Sequence, residues 1–164
     1  MVNKEWLGVY IARENPIHAG HENVQNIIIQ DRKDQCMLVL WSINEDLSWR
    51  NMFSYEERVK FIKMIYPDLF IQWICDFKSD NEWIFALKMI VKSKYNWDIK
   101  NVVFYWWCDE DIAYLLDRWY TCKVVNRFDG ISSPKISATE IRDILHKWYV
   151  IMILSEQKKR CDLI

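Results

Sequence analysis

His18 and His21 stand three residues apart with Gly20 between them, in a stretch that reads G-V-Y-I-A-R-E-N-P-I-H-A-G-H from Gly8. Arg13 precedes them. Three cationic or proton-donating side chains so close together suit the binding of phosphate and the stabilisation of charge on a phosphoryl group. That chemistry needs a scaffold. The apolar run over 6–11 predicts a buried first strand, broken at Asn15-Pro16, a turn signal. Behind the histidines, Val24, Ile27 and Ile28 recur at helical spacing, which predicts a helix over 20–30. The histidines therefore open a helix that follows a strand. There the backbone N–H groups and the helix dipole both favour an anion.

The rest of the chain alternates in the same way. Strands are expected over 35–41, 70–75, 102–106 and 122–125. The run Q-C-M-L-V-L-W of the second is continuous and apolar, as in a central parallel strand. Helices are expected over 54–66, 81–93, 110–119 and 137–147, with a loop over 127–135. Ser54 with Glu57 three residues on has the spacing of a capping box. Strand and helix repeated five times predict an α/β fold, a Rossmann-like open parallel sheet of about five strands with helices on both faces. Ligands in such a sheet bind at the carboxyl ends of the strands, near the switch point.

Length and composition set outer bounds. The 164 residues suit one domain over 1–164, with a short C-terminal extension over 149–164. A net charge of −1 provides no basic field, so no nucleic-acid partner is expected. The five cysteines form no C-x-x-C pair, which reads as free thiols in a reducing compartment rather than a disulfide frame or zinc site. No signal pattern precedes the first strand and no apolar run reaches a membrane span, so the expected place is cytoplasmic, with no membrane partner. Ten tryptophans leave rings for ligand stacking beyond those of the core.

The P-x-H-x-G-H after a first strand resembles the nucleotidylyltransferase superfamily. Near the other end, Ile136-Ser137-Ala138-Thr139-Glu140-Ile141-Arg142 resembles its second signature, I-S-[ST]-T-x-[IV]-R. Ser137 and Glu140 alone would also make an ordinary capping box. The two signatures in order, about 120 residues apart, favour the superfamily reading. Within it, the chain is most similar to the archaeal-type nicotinamide mononucleotide adenylyltransferases. A serine, Ser42, follows strand two, and Arg50-Asn51-Met52-Phe53-Ser54 leads to Glu57-Arg58, with Met52 where proline is usual. Asp76 follows strand three and Trp83 comes seven residues later.

The resemblance implies adenylyl transfer from ATP to nicotinamide mononucleotide, giving NAD and pyrophosphate. His18, His21 and Arg142 would be the catalytic residues. Arg13, Arg50, Ser137 and Thr139 would bind ATP and phosphate. Asp76, Asp80 and Trp83 would bind the nicotinamide mononucleotide, the indole of Trp83 stacking on its charged ring. Mg²⁺ would arrive on the substrate, held by triphosphate oxygens and water, with no protein metal ligand. Relatives of this kind are often oligomers, and the aromatic content here is compatible with a homo-oligomer. Ala12, Glu14 and Asn15 depart from the family pattern, as do the rings of Tyr105-Trp106-Trp107, which are expected to reshape the pocket wall. These departures leave alternatives: another acceptor such as nicotinate mononucleotide, pantetheine phosphate or flavin mononucleotide, a non-catalytic nucleotide sensor, or an interaction protein.

Overall fold

Leu7, Val9 and Ile11 alternate with Gly8, Tyr10 and Ala12, and all six residues are buried because the strand they form has a helical layer on each side. The computed structural model describes residues 6–44, 47–95, 98–108, 112–126 and 136–161. In chain order it contains β1 (Leu7–Ala12), α1 (Ala19–Arg32), β2 (Cys36–Leu40), α2 (Tyr55–Ile65), β3 (Phe70–Trp73), α3 (Asp80–Tyr95), a 3₁₀ turn (Ile99–Asn101), β4 (Val102–Trp106), α4 (Ala113–Leu116), β5 (Thr121–Val124) and α5 (Ala138–Cys161). The strands form one parallel sheet in the order β3-β2-β1-β4-β5. This is the Rossmann-like fold expected from the alternation of patterns. The chain winds outward from β1 to β3, then returns to β1's other edge to lay down β4. The switch point lies between β1 and β4, where loops leave in opposite directions and open a crevice.

One core lies on the α3 and α4 side, where Leu7, Val9, Ile11, Val39 and Phe104 meet Ile84, Leu87 and Leu115. The other lies on the α1 and α2 side, where Tyr10, Ala12, Leu38 and Leu40 meet Val24, Ile28 and Ile62. Ala12, a departure from the family pattern, is thus packed into the α1 core. Tyr105 is corrected in the same way. It was expected at the pocket wall, but strand alternation turns it to the α1 side. There its hydroxyl accepts from Arg32 Nε at 2.9 Å and donates to Asp31 Oδ2 at 2.9 Å.

Gly8 lets α1 lie close on the sheet. A Cβ there would stand 2.7 Å from Arg32 Cγ and 2.8 Å from Ile28 Cγ1, both in side chains locked in the core. Gly8→Ala is expected to destabilise the fold by about 1–3 kcal/mol through overpacking, read as a lower urea midpoint at unchanged slope.

Two helices differ from expectation. Helix α5 does not stop at 147 but runs to Cys161, so the stretch 149–154 continues it. Helix α4 is only Ala113–Leu116, with 109–111 outside the described residues. The loop expected over 127–135 also lies outside them. Among the described residues no helix is long and apolar enough to cross a membrane.

Candidate active site

His18 is the N-cap of α1, with extended backbone (φ −152°, ψ 170°). Its Nδ1 accepts from the backbone N–H of Gly20 at 3.1 Å, satisfying one of the orphan donors of the first turn. An accepting Nδ1 places the neutral ring's proton on Nε2, which makes that nitrogen the ring's hydrogen-bond donor. His21, one turn in, lies against it with ring centroids 3.9 Å apart and planes 32° from parallel. The two residues are 5% and 6% exposed. Trp107, just past β4, meets His21 edge-on at 6.4 Å. The pair therefore sits at the β1/β4 switch point, between the helix mouth after β1 and the first ring after β4.

The loop between β1 and α1 is held from below. Arg58 of α2 is fully buried and donates Nη1 to the carbonyls of Arg13 and Trp41, at 3.0 and 2.9 Å, and Nη2 to that of Ser42 at 3.4 Å. One guanidinium thus clamps the carboxyl ends of β1 and β2. Burial, then the charge of Arg13, lower its pKa. Arg13 lies over the Trp41 ring at 4.9 Å and donates to Ser42 Oγ at 3.2 Å. Glu14, in a left-handed backbone conformation (φ 48°), is 1% exposed, and its Oε1 accepts from Gln25 Nε2 at 2.5 Å. Burial pushes its carboxyl up to about 8.

The second signature comes to this same loop. Arg142 of α5 donates Nη1 to the carbonyl of Asn15 at 2.8 Å, across 127 residues of sequence, and Nη2 to Thr139 Oγ1 at 2.9 Å. Burial, then the nearby charge of Arg50, lower the pKa of Arg142. Arg50 itself is exposed. Among the described residues neither Arg58 nor Arg142 has a carboxylate in salt-bridge range. Glu14 and Glu56 act on Arg58, and Asp143 on Arg142, only at longer range. Ser137 forms the capping box: its N–H donates to Glu140 Oε2 at 2.6 Å and its Oγ accepts from Glu140 N at 3.2 Å. Thr139 is exposed, with its hydroxyl hydrogen left to donate.

Asp76, Asp80 and Trp83 lie apart from the histidines, on a cavity of about 260 Å³ that Trp41, Trp106 and Tyr114 also line. Trp83 meets Tyr114 edge to face at 5.7 Å, and Trp106 stacks on Trp107 at 5.5 Å. An aromatic box with two carboxylates on its rim suits a flat cation. The two regions share boundaries, because Trp41 carries Arg13 while lining the cavity and Trp107 touches both His21 and Trp106.

Sequence reasoning did not assign site roles to Arg58, Glu14, Asn15, Trp41 or Tyr114. It also left Ser79 unassigned, although the signal was there. Ser79 and Glu82 repeat the S-x-x-E spacing of the other two capping boxes, and Ser79 Oγ accepts from Glu82 N at 3.3 Å at the start of α3. Among the described residues no group of three or more His, Cys, Asp or Glu side chains is placed to hold a metal ion.

No protein-family model matches the chain, and no curated protein matches it. Solved structures do. The bifunctional NMN adenylyltransferase/ADP ribose pyrophosphatase from Francisella tularensis superposes with a TM-score of 0.70, at 20% identity over 86% of this chain. Its complex with AMP and a manganese ion gives 0.69 at 19% identity over 86%. The NadR protein in complex with NAD and AMP-PNP gives 0.63 at 19% identity over 88%. The chain shares their fold. It spans only 41–43% of the length of those chains, and at this identity the likeness is one of fold.

Proposed function

We propose that the protein transfers the adenylyl group of MgATP to nicotinamide mononucleotide, giving NAD and pyrophosphate. The observation that carries this reading is the bond from Arg142 to the Asn15 carbonyl. It brings the two phosphate-type signatures to one helix mouth. The shared fold supports it, since the Francisella protein is an NMN adenylyltransferase that binds AMP, and NadR binds NAD and AMP-PNP.

The phosphate oxygen of the acceptor attacks the α-phosphorus of ATP in line. The new O–P bond forms as the bond to the β-phosphate breaks, and pyrophosphate carries the electron pair away. No protein nucleophile is needed, so catalysis is positioning and charge stabilisation. His18 donates from Nε2, and His21 beside it stabilises charge on the α-phosphoryl oxygens. Arg142 binds the departing pyrophosphate, with Thr139 and Ser137 at the same helix start. Arg13 and Arg50 bind phosphate at the rim. Mg²⁺ enters with the triphosphate as part of the substrate. The nicotinamide ring, a flat cation, enters the aromatic box against Trp83, with Asp76 and Asp80 on its rim.

The test is product formation. With MgATP, the protein is expected to make NAD from nicotinamide mononucleotide in preference to products from nicotinate mononucleotide or pantetheine phosphate. Another product would keep the reaction and discard the acceptor. ATP binding with no product from any acceptor would discard the reaction. Trp83→Ala is expected to raise the KM for nicotinamide mononucleotide by about tenfold, the scale of a desolvated cation–π contact, with the KM for ATP within twofold.

A further inference from the structure

Asn15 is 2% exposed, and three separately coded segments meet on it. Its side-chain amide pairs with the backbone of Phe53 in both directions: Phe53 N donates to Oδ1 at 3.0 Å, and Nδ2 donates to Phe53 O at 3.0 Å. Nδ2 also donates to Asn51 Oδ1 at 3.2 Å. Both N–H donors and the carbonyl oxygen of the amide are thereby engaged, and the main-chain carbonyl of the same residue accepts from Arg142. The orientation of the amide is set by this pairing, because a flip would put N–H against N–H and oxygen against oxygen. The segment it holds contains Arg50, one residue before Asn51. The side chain it supports through its carbonyl is Arg142. The segment it belongs to leads directly into His18 and His21.

We propose that Asn15 is the positioning residue of the phosphate site, holding the Arg50 loop and the Arg142 helix in register with the two histidines. It touches no substrate; it acts through the cations it places. The proposal rests on the adenylyl-transfer reading only in taking the bound polyanion to be ATP. The resemblance places glutamine at this position. The shorter asparagine suits this closure, because its amide lies level with the Phe53 backbone.

Asn15→Asp is the sharpest variant. It is isosteric and keeps the bond from Phe53 N, but it turns lone pairs toward Phe53 O and Asn51 Oδ1, replacing two donated bonds with oxygen–oxygen repulsion. ATP affinity, measured calorimetrically without acceptor, is expected to fall by about tenfold, a loss of the size that unpaired buried groups cause. The KM for nicotinamide mononucleotide is expected to stay within twofold, a split that a general loosening of the fold would not give. In an Arg50→Ala background the same change is expected to cost at least threefold less, because the charge it positions is gone. Thermal unfolding shows whether the variant folds. If it does not, Asn51→Ala, which spares the Phe53 pair, is expected to lower ATP affinity by about threefold. An effect below twofold on ATP, or an equal effect with and without Arg50, overturns the proposal. So does an Asn51→Ala protein that binds ATP as tightly as the wild type. A wild-type protein that binds ATP but makes no product would defeat the reaction reading alone, since the affinity measurements need no turnover.

Discussion

His21→Ala is expected to lower kcat by at least about a hundredfold, while changing ATP affinity far less. The reason lies in where the ring is. It is buried at the helix mouth, tilted against His18 and braced by the edge of Trp107, so it costs little reorganisation to meet charge as that charge develops. A residue that bound substrate and transition state equally would move KM instead. His21 is a cleaner probe than His18. The His18 ring also caps α1 through Nδ1, so its removal costs helix stability on the order of 1 kcal/mol as well as any activity. Single-turnover measurement of AMP transfer separates the chemical step from product release. A loss of less than threefold would exclude His21 from the chemistry.

The second large effect is on stability. Glu14 is buried, its carboxyl pushed from the ordinary 4.5 up to about 8 by burial, against the hydrogen bond from Gln25 and the charge of Arg58, with Glu22 reinforcing the rise. The folded state therefore holds this proton between about pH 4.5 and 8, where the unfolded chain has released it. The stability tied to the proton is fully present below the lower value and is lost as pH rises through the upper one. From pH 5 to pH 8 the loss is on the order of 3 kcal/mol. Glu14→Gln keeps the shape and an oxygen for Gln25 but cannot ionise. The variant is expected to remove this downward slope and to be more stable than the wild type at pH 8, by less than that loss because the two N–H groups of the new amide stand where the Oε2 oxygen has no hydrogen-bond partner. Chemical denaturation at several pH values measures both. Parallel stability profiles of the two proteins would mean that Glu14 is ionised in the fold.

Much of the fold was legible because it depends on local patterns. The apolar run over 102–106 is β4 to the residue, since a strand buried on both faces reads as a continuous apolar run, here opened after Lys100-Asn101. Ser54 and Glu57 form their capping box with both bonds, as their spacing implies. The end of α5 was less legible because neither Gly nor Pro follows Lys147 to stop it, and helix continuation there is a weak signal. In the site, His18, His21 and Arg142 could be singled out because their neighbours form recognisable patterns. Arg58 could not. Its role depends on three carbonyls from two strand ends, which only the folded sheet brings together. Asn15 was equally hidden, since a turn asparagine before proline has a sufficient local explanation. Tyr105 is different. Alternation along β4 puts it opposite Phe104 and Trp106, so its position in the α1 core was available from the sequence.

The bond between Arg142 and Asn15 also orders events in time. β1 is made before both of its neighbours in the sheet, and the guanidinium that reaches its loop comes later still, on α5. Contacts so distant along the chain close slowly, because a long loop must be ordered before they are rewarded. A ribosome-bound chain that has already formed β1, α1 and β2 therefore carries both histidines but not Arg142. On the adenylyl-transfer reading, competence for a triphosphate waits for α5, so nucleotide binding by a growing chain would report that the helix carrying Arg142 has docked.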